Sequence, residues 1–328
     1  MNLPKSILLS LLSVLIAQSF SHPPLCIDPH VDPTHISDDR SCTEQKASDQ
    51  PIDVPRGGGS QSSSQSILRD FISSNQKGEF HIQGWRWHFL SLIRDTRRME
   101  RLARYLLRHS RNSDDGEHGN PQNNERIDWG VAESAADYLI NFNMAGLHRV
   151  ESKMFVGWLR DNLNRDAVAK YCDNGKEVAR AFEEVIDEID RGRIKSAQLG
   201  NELYQNAKLA KTPQRGNQHL AEIIRLSAQL SAQLRQTRHL QETLLVPSIS
   251  ITVSSSAQKL FNNRVLLKLG VLESRVHLVG MHDAVGEEGE DERIKFEREI
   301  PYVARVMIGR WRKSLYEPKA GMLDYGLN

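Results

Sequence analysis

From about residue 82 apolar positions recur at spacings of three and four. Trp85, His88, Leu92, Met99, Leu102 and Leu106 keep this rhythm, with Asp95 standing in the one gap. Residues so spaced share one face of an α-helix, so the pattern predicts a long first helix with a core-facing stripe. Arg94, Arg97, Arg101, Arg104, Arg108 and Arg111 repeat the spacing on another face. Arg111-Asn-Ser-Asp-Asp-Gly marks its expected end, with a polar loop over 112–128. A second helix is predicted from about Ala132 to Leu163. A third covers Lys176 to Lys208, carries Glu183, Glu184, Asp187, Glu188 and Asp190, and ends at Thr212-Pro-Gln-Arg-Gly. The fourth runs from His219 to Leu245, with Leu220, Ile223, Ser227, Leu230, Leu234 and Leu244 at core spacing, and is expected to stop at Pro247.

Four long amphipathic helices with short connections predict an all-α fold, an up-down four-helix bundle over 80–250. Residues 251–328 read as a C-terminal helical extension. In it, Ser254-Ser-Ser-Ala resembles an N-cap cluster ahead of a helix from Gln258 to Val285. Gly286-Glu-Glu-Gly-Glu-Asp-Glu reads as an acidic loop, and 294–316 as a last helix with Pro301 near its start.

The N-terminal part lacks this periodicity. Met1 to Lys5 form a short basic start, Ile7 to Ala17 an apolar run, and Ala17-Gln18-Ser19 the small residues of a cleavage site. This is the pattern of a secretory signal peptide over residues 1–21, too short to span a bilayer. Its implied destination is secretion or the endomembrane system. The alternative is a plastid, because Ala-Gln-Ser-Phe at 17–20 resembles the junction of bipartite plastid presequences in algae. Residues 22–79 read as a disordered polar linker, rich in proline and carrying Arg-Gly-Gly-Gly-Ser-Gln-Ser-Ser-Ser-Gln-Ser at 56–66. No Gly-Lys-Ser/Thr follows the glycines, so they are not a phosphate loop.

Composition narrows the function. A hydrophobic fraction of 39% and a charged fraction of 26% belong to a globular chain, and a net charge of +1 argues against a general nucleic-acid surface. No later segment is apolar enough for a transmembrane helix. The arginine stripe has two readings, an anionic surface or internal pairing with the acidic third helix, and internal pairing is the expectation. Cys26 and Cys42 are available for a disulfide in an oxidising compartment, and Cys172 is left over. No nucleophile, zinc-protease or dinucleotide motif is present, so nothing points to catalysis.

The candidate chemistry lies in Leu147-His-Arg-Val-Glu-Ser-Lys-Met-Phe-Val-Gly-Trp-Leu159, where His148 and Glu151 are three residues apart among apolar anchors. A carboxylate on that face needs a partner or a proton. His88 sits on the first helix's apolar stripe and is its nearest candidate partner, while His239 and Glu242 repeat the His-x-x-Glu spacing on the fourth helix. Histidines and carboxylates facing one another in a four-helix bundle are how such folds hold metal ions.

These segments resemble the hemerythrin-like, or HHE cation-binding, family, in its algal form. Gly84-Trp-Arg-Trp-His88 is similar to the family's first-helix histidine segment, 147–159 to the second-helix run His-His-x-x-Glu-Glu-x-x-x-Phe-Pro-Trp-Leu, and His239-Leu-Gln-Glu-Thr-Leu-Leu-Val-Pro247 to its fourth-helix counterpart. The resemblance implies non-haem iron, with dioxygen as a further partner, at a metal site of His88, His148, Glu151, His239 and Glu242. Leu147, Ser152 and Gly157 depart from the motif, Thr237 and Gln241 are the core-facing pair on the fourth helix, and no histidine lies between His148 and His219. A reduced iron site is therefore the first expectation. A metal-free degenerate bundle acting as a structural or protein-interaction module is the second.

Overall fold

The computed structural model describes residues 63–114, 128–211 and 213–326, and all regular elements among them are helical. The expected signal peptide, the Gly/Ser tract up to residue 62, Cys26 and Cys42 lie outside the described residues.

Helix α1 (Ser63–Ser74) falls inside the stretch read as linker. Its Leu68, Phe71 and Ile72 are buried, and Phe71 meets Phe182 edge-on at 5.8 Å. Three apolar residues at positions i, i+3 and i+4 are enough for an amphipathic stripe, which the surrounding serines hid from a reading by composition. The linker assignment is corrected over these residues.

Helix α2 (Gln83–Asp114) supplies the central rod. Helix α3 (130–162) is continuous but alternates α-helical stretches with two π-helical ones, Tyr138–Met144 and Glu151–Phe155. A short α4 (Arg165–Val168), capped by the Asn164 side chain, leads to α5 (Gly175–Leu209). Helix α6 (213–252) contains a third π-helical stretch, Gln241–Leu245, and runs on through Pro247 to Thr252. A helix end at Pro247 was expected. The wide π turn instead makes Pro247 part of the first turn of a renewed α-helix, where a missing N–H costs little.

Helices α2 and α6 lie antiparallel: Arg86 meets Glu242 at one end and Ser110 meets Asn217 at the other. Helix α5 packs along α6 and against α1. In the C-terminal region α7 (Ser255–Leu269), α8 (Val271–Glu288) and α9 (Glu290–Glu299) are separated by Gly270 (φ +77°) and Gly289 (φ +125°), backbone conformations that favour glycine. The predicted helix over 258–285 is thus two helices. The predicted acidic loop is helical on both sides of Gly289, because Glu290, Asp291 and Glu292 occupy the first turn of α9, where carboxylates are favoured. Pro301 holds Ile300 extended and precedes α10 (Tyr302–Trp311) rather than lying within a helix over 294–316. The chain then passes through a π-helical Arg312–Tyr316 and two short turns to Asp324. Helix α8 packs on α2, and one apolar core runs from Leu68 to Leu323. The extension completes the core.

Candidate functional site

Two buried polar clusters hang from α2, one on each side of the predicted His88. The first is built around Glu151. Its residue is 2% exposed, and one oxygen, Oε1, accepts hydrogen bonds from Trp85 Nε1 at 3.0 Å and Gln241 Nε2 at 3.1 Å. Glu151 opens the second π stretch of α3 and Gln241 opens that of α6. Each π turn admits one extra residue, which re-aims the side chains next to it, and such turns recur at specialised sites. Both donors are neutral. Burial pushes the Glu151 carboxyl up to about 7, and the Trp85 and Gln241 hydrogen bonds only partly oppose it.

The second cluster centres on Asp95, fully buried in the gap of the apolar stripe. Its Oδ1 accepts from Arg94 Nη2 at 2.8 Å, Arg94 Nε at 3.1 Å and Arg98 Nη1 at 3.0 Å. Its Oδ2 accepts from Asn143 Nδ2 at 2.9 Å and the Tyr138 hydroxyl at 3.4 Å. The Tyr316 hydroxyl accepts from Arg94 and Arg98, and Arg98 also binds Asp324. Burial works against charge on Arg94 and Arg98, but their carboxylate partners more than offset it, and both are held charged. Burial together with Asp95 pushes Tyr138 well above the usual phenol range and Tyr316 up to about 12.

Asn143 joins this cluster to the predicted ligand His88. The His88 Nε2–H donates to Asn143 Oδ1 at 2.9 Å while the Asn143 amide donates to Asp95. The His88 ring lies 4.4 Å from that of His277, also buried, and burial followed by His277 holds His88 well below the usual histidine range. His277 in turn reaches Glu273 at 3.4 Å, and Glu273 pairs with Arg149.

The five predicted ligands therefore have separate surroundings. His88 belongs to the Asp95–Asn143 network, not to Glu151, which corrects the expectation that those two pair. His148 is half-buried and lowered to about 4 by burial and then by Arg193. His239 is exposed. Glu242 is turned toward arginines, accepting from Arg86 Nε and Arg238 Nε, each at 3.0 Å. Among the described residues, no three histidine, cysteine, aspartate or glutamate side chains gather as a metal ion would need. The five donors do not converge on the reduced iron site that the resemblance implies. Leu147 fills the core at the first motif position, Ser152 is exposed at the second glutamate's, and Gln241 offers Glu151 an amide. Comparison with known proteins returns no match, neither a family model nor a curated protein nor a solved structure.

The arginine stripe is also redistributed. Arg94 is buried on Asp95, whereas Arg97, Arg101, Arg104 and Arg108 are exposed, with Arg104 on Glu100. The acids of the third helix pair elsewhere: Glu183 and Asp187 with Arg160, Glu184 with Arg180, Asp190 with Arg193. Sequence reasoning passed over Trp85, Asn143 and Asp95 as polar partners. The signal for Asp95 was present: a carboxylate on an apolar stripe with arginines at i−1 and i+3.

Proposed function

We propose that this chain is a hemerythrin-like bundle in which the up-down four-helix arrangement is kept and the metal site replaced, so that it acts as a non-catalytic scaffold through its surface. The observation that carries this reading is the Glu151–Trp85–Gln241 triad. The one motif carboxylate that faces the interior is satisfied by two neutral donors from α2 and α6, and its carboxyl is raised toward neutrality by burial. A metal ligand needs the opposite, a carboxylate kept ionised with an oxygen directed at a cation. The Asp95 cluster supports the same reading, because its carboxylate is saturated by arginines, a tyrosine and an asparagine.

Elemental analysis of the purified protein, with thermal melts in added ferrous iron and in chelator, tests this. The expected result is no stoichiometric metal, no near-ultraviolet oxo-iron absorption, and one Tm in all conditions. Stoichiometric iron with a Tm that rises on loading would restore the non-haem iron and dioxygen reading.

A further inference from the structure

Helix α10 packs by one side only. Ala304 and Ile308 are buried, and Trp311, half-buried, lies under the Arg275 guanidinium at 5.3 Å. The opposite side projects outward. Tyr302 is 71% exposed and Val306 62%, Val303 stands beside them, and all three are on the same short helix. Between and beyond them the exposed residues from 302 to 313 include Arg305, Arg310 and Lys313, with no carboxylate among them. The Arg305 guanidinium rests over the Tyr302 ring at 5.7 Å, so cation and aromatic form one ridge. A cavity of about 250 Å³ beside the ridge is lined by His282, Glu297, Arg305, Val306 and Ile308.

A contiguous apolar patch rimmed by charge marks an interaction surface. From this ridge we infer that α10 is a docking face for an anionic lipid surface. The inference rests on the reading of the bundle as a surface-acting scaffold. Tyr302 and Val303 lie outside the cavity that Arg305 and Val306 border, and exposed aromatic and aliphatic side chains beside cations suit insertion between headgroups. The exposed charges on α10 itself, Arg305 and Arg310, are positive and Lys313 follows them, with Glu299 and Glu317 flanking the helix at its two ends. The cations are complementary to phosphatidylserine headgroups, and tyrosine is at home at the membrane–water boundary. No helix among the described residues is long and apolar enough to cross a membrane, so α10 would lie on the surface.

Co-sedimentation of the full chain with vesicles of phosphatidylcholine, with and without phosphatidylserine, tests this. Binding is expected only with phosphatidylserine and is expected to weaken as salt rises. Arg305→Glu/Arg310→Glu/Lys313→Glu should lower the partition coefficient by at least about tenfold, and Tyr302→Ser/Val306→Ser should lower it at unchanged net charge. All five positions are exposed, so an unchanged melting curve certifies the variants' fold. Equal binding to both vesicles, or variants that bind like the parent, would overturn the inference. So would equally tight binding of soluble poly-glutamate that releases the protein from vesicles, since that would make the face a site for acidic proteins. Repeating the assay in chelator and in iron keeps the two questions apart: metal in the core leaves the vesicle result standing, and failed vesicle binding leaves the metal-free core standing.

Discussion

Asp95 shows how one buried charge can fix several elements at once. It lies in α2, yet it holds Asn143 and Tyr138 from α3 directly, and through Arg94 and Arg98 it holds Tyr316 and Asp324 at the C-terminal end. Removing only the carboxylate strands two buried guanidinium groups. Asp95→Ala is therefore expected to cost about 3–5 kcal/mol in urea unfolding, and a loss under about 1 kcal/mol would mean that water already reaches the cluster. Trp158 carries less than its motif position suggests. It is half-buried, stacked on Phe261 at 4.6 Å, so Trp158→Ala should fall toward the lower end of the 3–5 kcal/mol usual for a buried aromatic. Side-chain direction was legible in the sequence where helical period alone sets it, as for the stripe of Trp85, Leu92 and Leu102. The partner of a buried polar group was not. Whether Glu151 meets His88, a metal or Gln241 depends on the rotation of two other helices, which period does not specify.

At the scale of elements, the π-helical turns decide which residues meet. Without the extra residue at Glu151–Phe155, the residues C-terminal to Glu151 would be rotated by about 100° against α2 and α6. Nothing in the local sequence announces such a turn, so helical period predicts regular helices for α3 and α6 and an end of α6 at Pro247. Close approach is a second element-scale device. A Cβ at Gly146 of α3 would lie 2.6 Å from His277 Nε2 and 3.1 Å from Glu273 Oε1 on α8. Gly146→Ala should displace His277 and destabilise the protein by about 1–3 kcal/mol, measured by chemical denaturation. An unchanged midpoint would show that α8 yields freely there. The helix breaks at Gly270 and Gly289 were harder to read, because a glycine in a helical pattern signals a break only when its φ turns positive.

For the whole molecule, the C-terminal region is part of the core: Phe296, Tyr316, Ala320 and Leu323 are buried in the same cluster as Leu92 and Leu230. A chain ending before residue 289 should lose cooperative melting by circular dichroism, because Arg94 and Arg98 would lose Tyr316 and Arg98 would lose Asp324. A sharp melt near the parent's would contradict a single shared core. The all-α class was legible because helical periodicity persists along the described chain, whereas the integration of the extension depends on long-range pairs such as Arg98–Asp324. The pH dependence of the whole molecule reflects opposed groups. His148, lowered to about 4, and His88, also lowered, make stability rise with pH up to the unfolded histidine range near 6.5. Glu151, raised from 4.5 to about 7, works the other way: its contribution is fully present below pH 4.5 and is lost as pH rises through 7. Comparing the parent with Glu151→Gln cancels the histidines, since glutamine keeps an acceptor for Trp85 and Gln241 but has no proton to lose. The most direct measurement is therefore the unfolding free energy of Glu151→Gln against the parent at pH 5 and at pH 8, in chelator and in iron. A core closed by its own donors predicts near equality at pH 5, and at pH 8 a variant more stable by roughly 2–3 kcal/mol in either medium. A variant less stable than the parent at pH 8, with a deficit that grows when iron is added, would contradict it.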